Sequence, residues 1–256
     1  MHKAPFRSLA VFADGFAVTG FHHARLTGAD SVGLYPMPFT LRLWNLADSD
    51  YLLLSAAKRL SVRHEASVLA SGSISDVFLR TVPEGTVTEI VFSAGLRLWE
   101  APVSLSVEAG VSVSETVRRI LSASGTGIRL LSFPGEDPVR ARGQAFFGRA
   151  AECIAEALSA AGAKGYLTDA GLCVVPSSGL PVSMTLSEAD LTDSPAAAGN
   201  GLLVLRTKPA GWPLGKRISV TRKGERYEGL VTERSVDADN LEGNWQAELV
   251  LAIHNS

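Results

Sequence analysis

The sequence has little of what marks disulfide-stabilised, membrane-spanning or DNA-binding proteins. Among its 256 residues only Cys153 and Cys173 are cysteines. We expect buried free thiols there, with a single disulfide as the alternative. No apolar run approaches the roughly 18 residues that span a bilayer, so we expect no membrane insertion. With 24 basic against 26 acidic residues the net charge is −2, and the basic surplus typical of duplex-DNA binders is absent.

We also expect no cleavable leader. Lys3 and Arg7 precede an apolar run, as in a signal peptide, but Asp14 ends that run early. No A-x-A cleavage site follows it. The sequence therefore predicts a protein that is made in the cytoplasm.

Catalytic and metal-binding motifs are equally scarce. The sequence contains no G-x-S-x-G elbow, no P-loop, no C-x-x-C and no H-E-x-x-H pattern. The adjacent His22 and His23 would point to opposite faces of a strand, which favours a surface pair over a shared metal. We interpret His64 and Glu65 as a hydrogen-bonded or exposed pair at a strand end. We assign no catalytic, cofactor-binding or metal-binding residue and expect no enzyme.

The other acidic and aromatic clusters have structural explanations. Glu136 and Asp137 stand beside two prolines and indicate a solvated loop. Asp237, Asp239 and Glu242 crowd one turn, which favours a hairpin tip, with a cation site as the alternative. Four tryptophans are scattered along the chain, which favours packing in cores or interfaces over a ligand-stacking platform. These are Trp44, Trp99, Trp212 and Trp245.

Alternation with a period of two dominates the first hundred residues. It predicts an all-β domain, as a closed or nearly closed barrel. The segments with this pattern are 9–13, 16–19, 39–44, 60–64 and 87–92. In one of them Phe39, Leu41 and Leu43 share a face, which we expect to be buried.

The middle of the chain has a different pattern, typical of a small α+β unit. Ser112 and Glu115 form a capping box at the start of a helix whose apolar residues recur at helical spacing. Gly162 is a suitable stop for a second helix. The predicted elements are a strand at 103–107, the capped helix, a helix at 149–161 and a strand at 172–175.

The last third of the chain returns to strands after a connector. Residues 177–201 are rich in Ser, Pro, Ala and Gly and contain one predicted strand, 182–186. Further strands are predicted at 202–206, 217–221, 226–234 and 245–252. The fold class is therefore mainly β with an α+β insert, in three domains: 1–101, 102–198 and 199–256.

The order of these elements resembles the hub proteins of phage tails and phage-like contractile particles. The resemblance rests on PFTLRLWNL (38–46), GSISDV (72–77) with its hairpin partner, and SLSVEAG (104–110) with the capped helix. In the last third it rests on GKRISV (215–220), YEGLV (227–231) and GNWQAEL (243–249). Each piece is a short β pattern, and the order of the pieces carries the resemblance.

The resemblance implies a structural virion component of the tail or baseplate, made in the host bacterial cytoplasm. Two tube-like antiparallel β-barrel or sandwich blocks would flank the insert, so that a homotrimer imitates a six-fold tube. The implied partners are the tail tube protein, the tape-measure protein, the central spike and other baseplate proteins. DNA would pass through a lumen without specific binding.

Two other classes of function stay open at this point. A tail-associated module that binds or hydrolyses cell wall or carbohydrate would need a pair of carboxylates in a cleft. An OB-like barrel would use its tryptophans as stacking platforms for single strands or sugars.

Overall fold

The computed structural model describes residues 7–168, 170–176, 181–222 and 224–253. The chain is mainly β, as predicted, with one large sheet and two small ones. The first part of the chain forms β1 (Ala10–Ala13), β2 (Phe16–Val18), β3 (His23–Ser31), β4 (Phe39–Trp44), α1 (Asp48–Ala56), β5 (Arg59–His64), β6 (Ser67–Val82), β7 (Gly85–Ser93) and α2 (Leu96–Glu100).

The middle and last parts follow the predicted order of elements. The middle forms β8 (Pro102–Val107), α3 (Val113–Ala123), β9 (Leu130–Ser132), β10 (Gln144–Arg149), α4 (Ala150–Ser159), β11 (Ala163–Thr168) and β12 (Gly171–Pro176). The last part forms β13 (Val182–Leu186), a 3₁₀ turn (Glu188–Asp190), β14 (Ala196–Gly199), β15 (Leu202–Thr207), β16 (Arg217–Arg222), β17 (Glu225–Asp239) and β18 (Trp245–Ala252).

The large sheet contains strands from both predicted β regions. Its order is β14-β15-β18-β17-β3-β4-β7-β6-β5-β1-β2, with β16 on a branch from β17 and β13 beside β16. All of these pairs are antiparallel except β13 with β16. Among the described residues the path ends at β14 and at β2, so the sheet is open and no closed barrel is seen. The two β regions meet where β17 pairs with β3.

Three apolar cores follow the three regions of the sequence and also overlap. The first core includes the inward face of β4, with Phe39, Leu41 and Leu43 buried as their alternation predicted. Val236 of β17 lies in this core too, although it comes from the last part of the chain. The insert has a core of its own, to which Leu34 contributes from the loop after β3. The cores therefore lock the three regions to one another.

The two long helices form for the reasons that the sequence indicated. The Ser112 hydroxyl accepts a hydrogen bond from the Glu115 amide and caps α3. The Glu115 carboxylate does not complete the capping box, because it pairs with Arg119 one turn later. Gly162 follows α4 with φ +59°, a left-handed conformation that suits a helix stop.

Several elements differ from the predictions. No predicted segment covers the strand β3, whose Gly28 has φ +150°. The connector contains a second strand, β14, and β17 extends beyond the predicted 226–234. Its extension is driven by pairing with two strands at once, β3 and β18.

Gly215 is a position where the packing of the last region against the insert can be tested. Its φ is +70°, and a Cβ there would lie 2.4 Å from Cε1 of Tyr166 and 2.8 Å from Cγ2 of Val175. We predict that Gly215→Ala lowers the free energy of unfolding by about 2–4 kcal/mol, from left-handed strain plus overpacking.

Gly125→Ala is the matched control for this prediction. Gly125 has φ +63°, but a Cβ added there would meet no atom within 4 Å, so only the strain of about 1 kcal/mol applies. Urea unfolding of both variants measures the difference. Equal losses would contradict the proposed contact with Tyr166.

Candidate functional site

Two of the histidines that the sequence singled out, His23 and His64, make side-chain contacts in the fold. His23 lies on β3 with its ring stacked on Trp44 at 4.1 Å, and its Nε2 is 2.9 Å from Oδ1 of Asp239. His64 Nδ1 is 2.8 Å from the carbonyl oxygen of Ser8. In the described residues no group of three or more His, Cys, Asp or Glu side chains is arranged to hold a metal.

The acidic turn near residue 240 is the end of the β17–β18 hairpin. Asp239 is nearly buried, and its Oδ1 accepts hydrogen bonds from the amides of Leu241 and Glu242. Asp237 lies within β17 rather than in the turn, where it pairs with Arg25 of β3. The carboxylates of this cluster therefore serve the hairpin and the sheet.

The loop that holds Glu136 and Asp137 has a structural role that the sequence did not indicate. Asp137 accepts hydrogen bonds from the amide and the hydroxyl of Ser114, at 2.8 and 2.6 Å, in the first turn of α3. Burial opposes the charge of Asp137, but these hydrogen bonds, with Ser112 and Arg118 nearby, lower its pKa. The loop is thus tied to a helix N-terminus that favours negative charge.

The cysteines and tryptophans are also accounted for by packing. Both cysteines are free; Cys153 is buried and Cys173 half-buried. Burial raises the pKa of the Cys153 thiol, which makes it unreactive. Trp212 donates its indole N–H to the carbonyl oxygen of Lys208 at 3.0 Å, and Trp99 stacks under the guanidinium of Arg149 at 4.7 Å.

The candidate functional surface is the face of the large sheet that points away from the cores. We call it the ion-paired face, and it crosses β17, β3, β4, β7 and β6. Its carboxylates lie on β17 and β7 and its arginines on β3, β4 and β6, outside the apolar cores. The pairs are Arg25–Asp237 at 3.1 Å, Arg42–Glu89 at 2.8 Å and Arg80–Glu89 at 3.3 Å.

Glu89 is the central carboxylate of the ion-paired face. Its side chain is 11% exposed, whereas those of Arg42 and Arg80 are 46% and 61% exposed. One well-placed carboxylate therefore pairs with two arginines that are otherwise open to solvent. Alternation along β4 puts Arg42 on the face opposite to Phe39, Leu41 and Leu43, but its partner could not be inferred because it lies 47 residues away.

A second ion pair holds the junction between the two β regions. Arg234 of β17 donates from Nε and Nη2 to the two carboxylate oxygens of Asp30 on β3, at 2.7 and 2.8 Å. Its Nη1 donates to the carbonyl oxygen of Trp212 at 2.9 Å. Both side chains are less than one-fifth exposed. This pair was not identified from the sequence, where its members are 204 residues apart.

Comparisons with known proteins bear on the fold that carries these surfaces. No family model matches the chain, and no curated protein matches it in sequence. Solved structures do match it. A tail protein from Neisseria meningitidis MC58 has a TM-score of 0.70 at 12% identity, over 97% of this chain and 96% of that chain.

Two further structures extend the same likeness. The 43 kDa tail protein of prophage MuSo2 from Shewanella oneidensis has a TM-score of 0.67 at 10% identity, over 96% of each chain. An E. coli protein described as a component of the type VI secretion system, similar to T4 bacteriophage tail proteins gp27 and gp5, has a TM-score of 0.70 at 13% identity. That match covers 96% of this chain and 77% of the other.

The chain is therefore structurally similar to phage tail proteins over nearly its whole length, which confirms the resemblance seen in its sequence. At such low identities the likeness establishes the fold. Among the described residues no helix is long and apolar enough to cross a bilayer.

The ion-paired face leads to a prediction about polyanions. We expect Glu89→Gln to bind short duplex DNA several-fold more tightly than the wild type, because two arginines lose their carboxylate. Its affinity should fall with salt with a log–log slope about 1–2 units steeper than that of the wild type. Fluorescence anisotropy of labelled DNA at several salt concentrations measures both quantities.

Glu108→Gln is the control for the DNA experiment. Glu108 pairs with Arg119 on the insert at 2.9 Å, but Arg119 keeps a second carboxylate, that of Glu115, at 3.2 Å. This variant should bind DNA as weakly as the wild type. If Glu89→Gln gains no more affinity than Glu108→Gln, the neutralising role of Glu89 is wrong.

The junction pair leads to a prediction about stability. We expect Arg234→Ala to lower the free energy of unfolding by about 2–4 kcal/mol, because it leaves the Asp30 carboxylate poorly exposed and unpaired. Arg234→Lys should lose about half as much, since an ammonium cannot form the bidentate contact. Arg206→Ala is the control; Arg206 is 51% exposed and 3.3 Å from Glu248.

Urea unfolding of these three variants measures the effect. Arg206→Ala should cost less than about 1 kcal/mol, as for other exposed pairs. A loss for Arg234→Ala no larger than that of the control would contradict the importance of the junction pair.

Proposed function

We propose that this chain is a structural component of a phage-type tail or baseplate, a hub without catalytic activity whose copies close into a ring. The observation that carries the proposal is the large sheet with open ends, in a chain that has a tail-protein fold along its whole length. Open strand edges favour pairing between chains, and a head-to-tail contact between copies forms a ring when the rotation between them closes.

The division of the chain into two β blocks and an insert supports a ring with more tube-like units than chains. We propose a first β block at 1–101, an α+β insert at 102–198 and a closing β block at 199–256, each with its own core. At the end of the insert, β13 and β14 pair with β16 and β15 and so join the insert to the closing block. Each block is one tube-like unit, so a homotrimer presents six units around its axis.

Such a trimer adapts a six-fold tail tube to a three-fold central spike. We propose the tube protein, the tape-measure protein, the spike and other baseplate proteins as its partners, in a tail assembled in a bacterial host. The ion-paired face lines the channel. Its arginines already have carboxylate partners, so DNA passes without being held.

Native mass spectrometry of the full chain tests the proposal, with sedimentation over a range of concentrations as a second measure. The expected species has three times the chain mass of 27.0 kDa. Ring-shaped particles in electron micrographs should accompany it. A stable monomer at all concentrations, above all one that cleaves cell-wall polymer, would overturn the hub assignment in favour of a cell-wall module.

A further inference from the structure

The hairpin of β6 and β7 has one strand edge without a partner. β5 pairs with the first half of β6, as far as Ser73. β7 pairs with β6 from Ser73 to Val82, on the other side. Beyond Ser73 the β5 side of β6 therefore pairs with no strand in the described part of the chain.

The direction of the backbone groups on this edge follows from the contacts of Thr86. The Thr86 carbonyl oxygen accepts from the Asn45 amide at 2.8 Å, and the Thr86 amide donates to Oδ1 of Asn45 at 3.3 Å. Thr86 thus points its backbone groups away from β6. In an antiparallel pair its opposite residue, Thr81, must then point its own groups away from β7.

Alternation extends this geometry along the edge. Val77 and Leu79, four and two residues before Thr81, also direct their amides and carbonyls outward. Phe78 and Leu79 are 42% and 58% exposed, although both are large and apolar. From 77 to 81 the edge carries no lysine, proline or bulge; the bulge between Ile74 and Asp76 precedes it, and Arg80 is its one charged residue.

A complementary edge lies at the other end of the same sheet. Within the described residues β14 pairs only with β15, and all four residues of β14 are exposed. Its sequence, three alanines and a glycine, leaves room for the large side chains of β6. Two other strands are terminal: β2 lies beyond β5 and β1, on the same side of the sheet as β6, and β13 ends the branch through β16 rather than the main path. β14 is therefore the terminal strand that lets the contact join the opposite ends of the main path.

We propose that residues 77–81 of β6 pair with β14 of a second copy of this chain. This contact, which we call the seam, rests on the proposed ring and identifies the strands that join neighbouring copies. It continues one sheet from copy to copy through eight strands of each chain, from β14 to β6. Because the two edges differ, the contact is heterologous, and it forms a closed ring when the rotation from copy to copy closes after a whole number of copies.

Proline substitutions at neighbouring positions test the seam. Leu79→Pro removes an amide that points to the free edge, so the folded chain keeps its own hydrogen bonds and its melting temperature. Self-association should weaken roughly tenfold or more, because hydrogen bonds across the seam are lost. Arg80→Pro is the control; its amide faces β7, so it should lower the melting temperature.

A cross-link identifies the occupant of the edge. In a Cys173→Ser background, Thr81→Cys with Ala197→Cys should give disulfide-linked multimers under mild oxidation. Thr81→Cys with Ala17→Cys, which places the second thiol on β2, should give none. Leu79→Lys provides a second way to block the edge without proline.

The outcomes separate the seam from the hub itself. If the wild type, Leu79→Pro and Leu79→Lys are all trimers, the proposed seam is wrong and the proposed hub function is not affected. If these variants dissociate but the Thr81–Ala197 cross-link fails, β14 is not the occupant and the proposal is overturned. A wild type that is monomeric at every concentration overturns both.

Discussion

The pairing of β3 with β17 is the constraint on which the rest of the structure depends. It joins strands more than 200 residues apart into one sheet, and the bidentate contact between Asp30 and Arg234 fixes their register. A bulge after Val231 turns β17 so that its first half packs in the closing core and its second half in the first core. One strand thus determines how the two β regions are oriented toward each other.

The insert takes its position from the same junction. Leu34, just after β3, reaches into the core of the insert, and Tyr166 of the insert reaches into the closing core. Burial raises the pKa of Tyr166, so its hydroxyl stays neutral within this contact. Each region contributes to the core of another, so contacts within a single chain fix how the three regions are placed relative to one another.

The sequence predicted the parts of the fold that depend on local patterns. Alternation identified β4 and β18, and helical spacing with a capping serine identified α3. It did not identify β3, because Gly28 interrupts a strand that exists only through its pairing with β4 and β17. The ion pairs were equally invisible, since the register of strands far apart in sequence decides which charges meet.

The charges of the ion-paired face resolve a conflict between two demands on an open sheet. An apolar face of this width would promote aggregation, and a face of unpaired arginines would bind any polyanion. Cross-strand pairs keep the face hydrated and hold Arg25, Arg42 and Arg80 against carboxylates instead of leaving them to grip a phosphate. Because Glu89 contacts arginines on both of its neighbouring strands, the same pairs also hold the sheet's register. The register of the sheet therefore decides which charges of this face are paired.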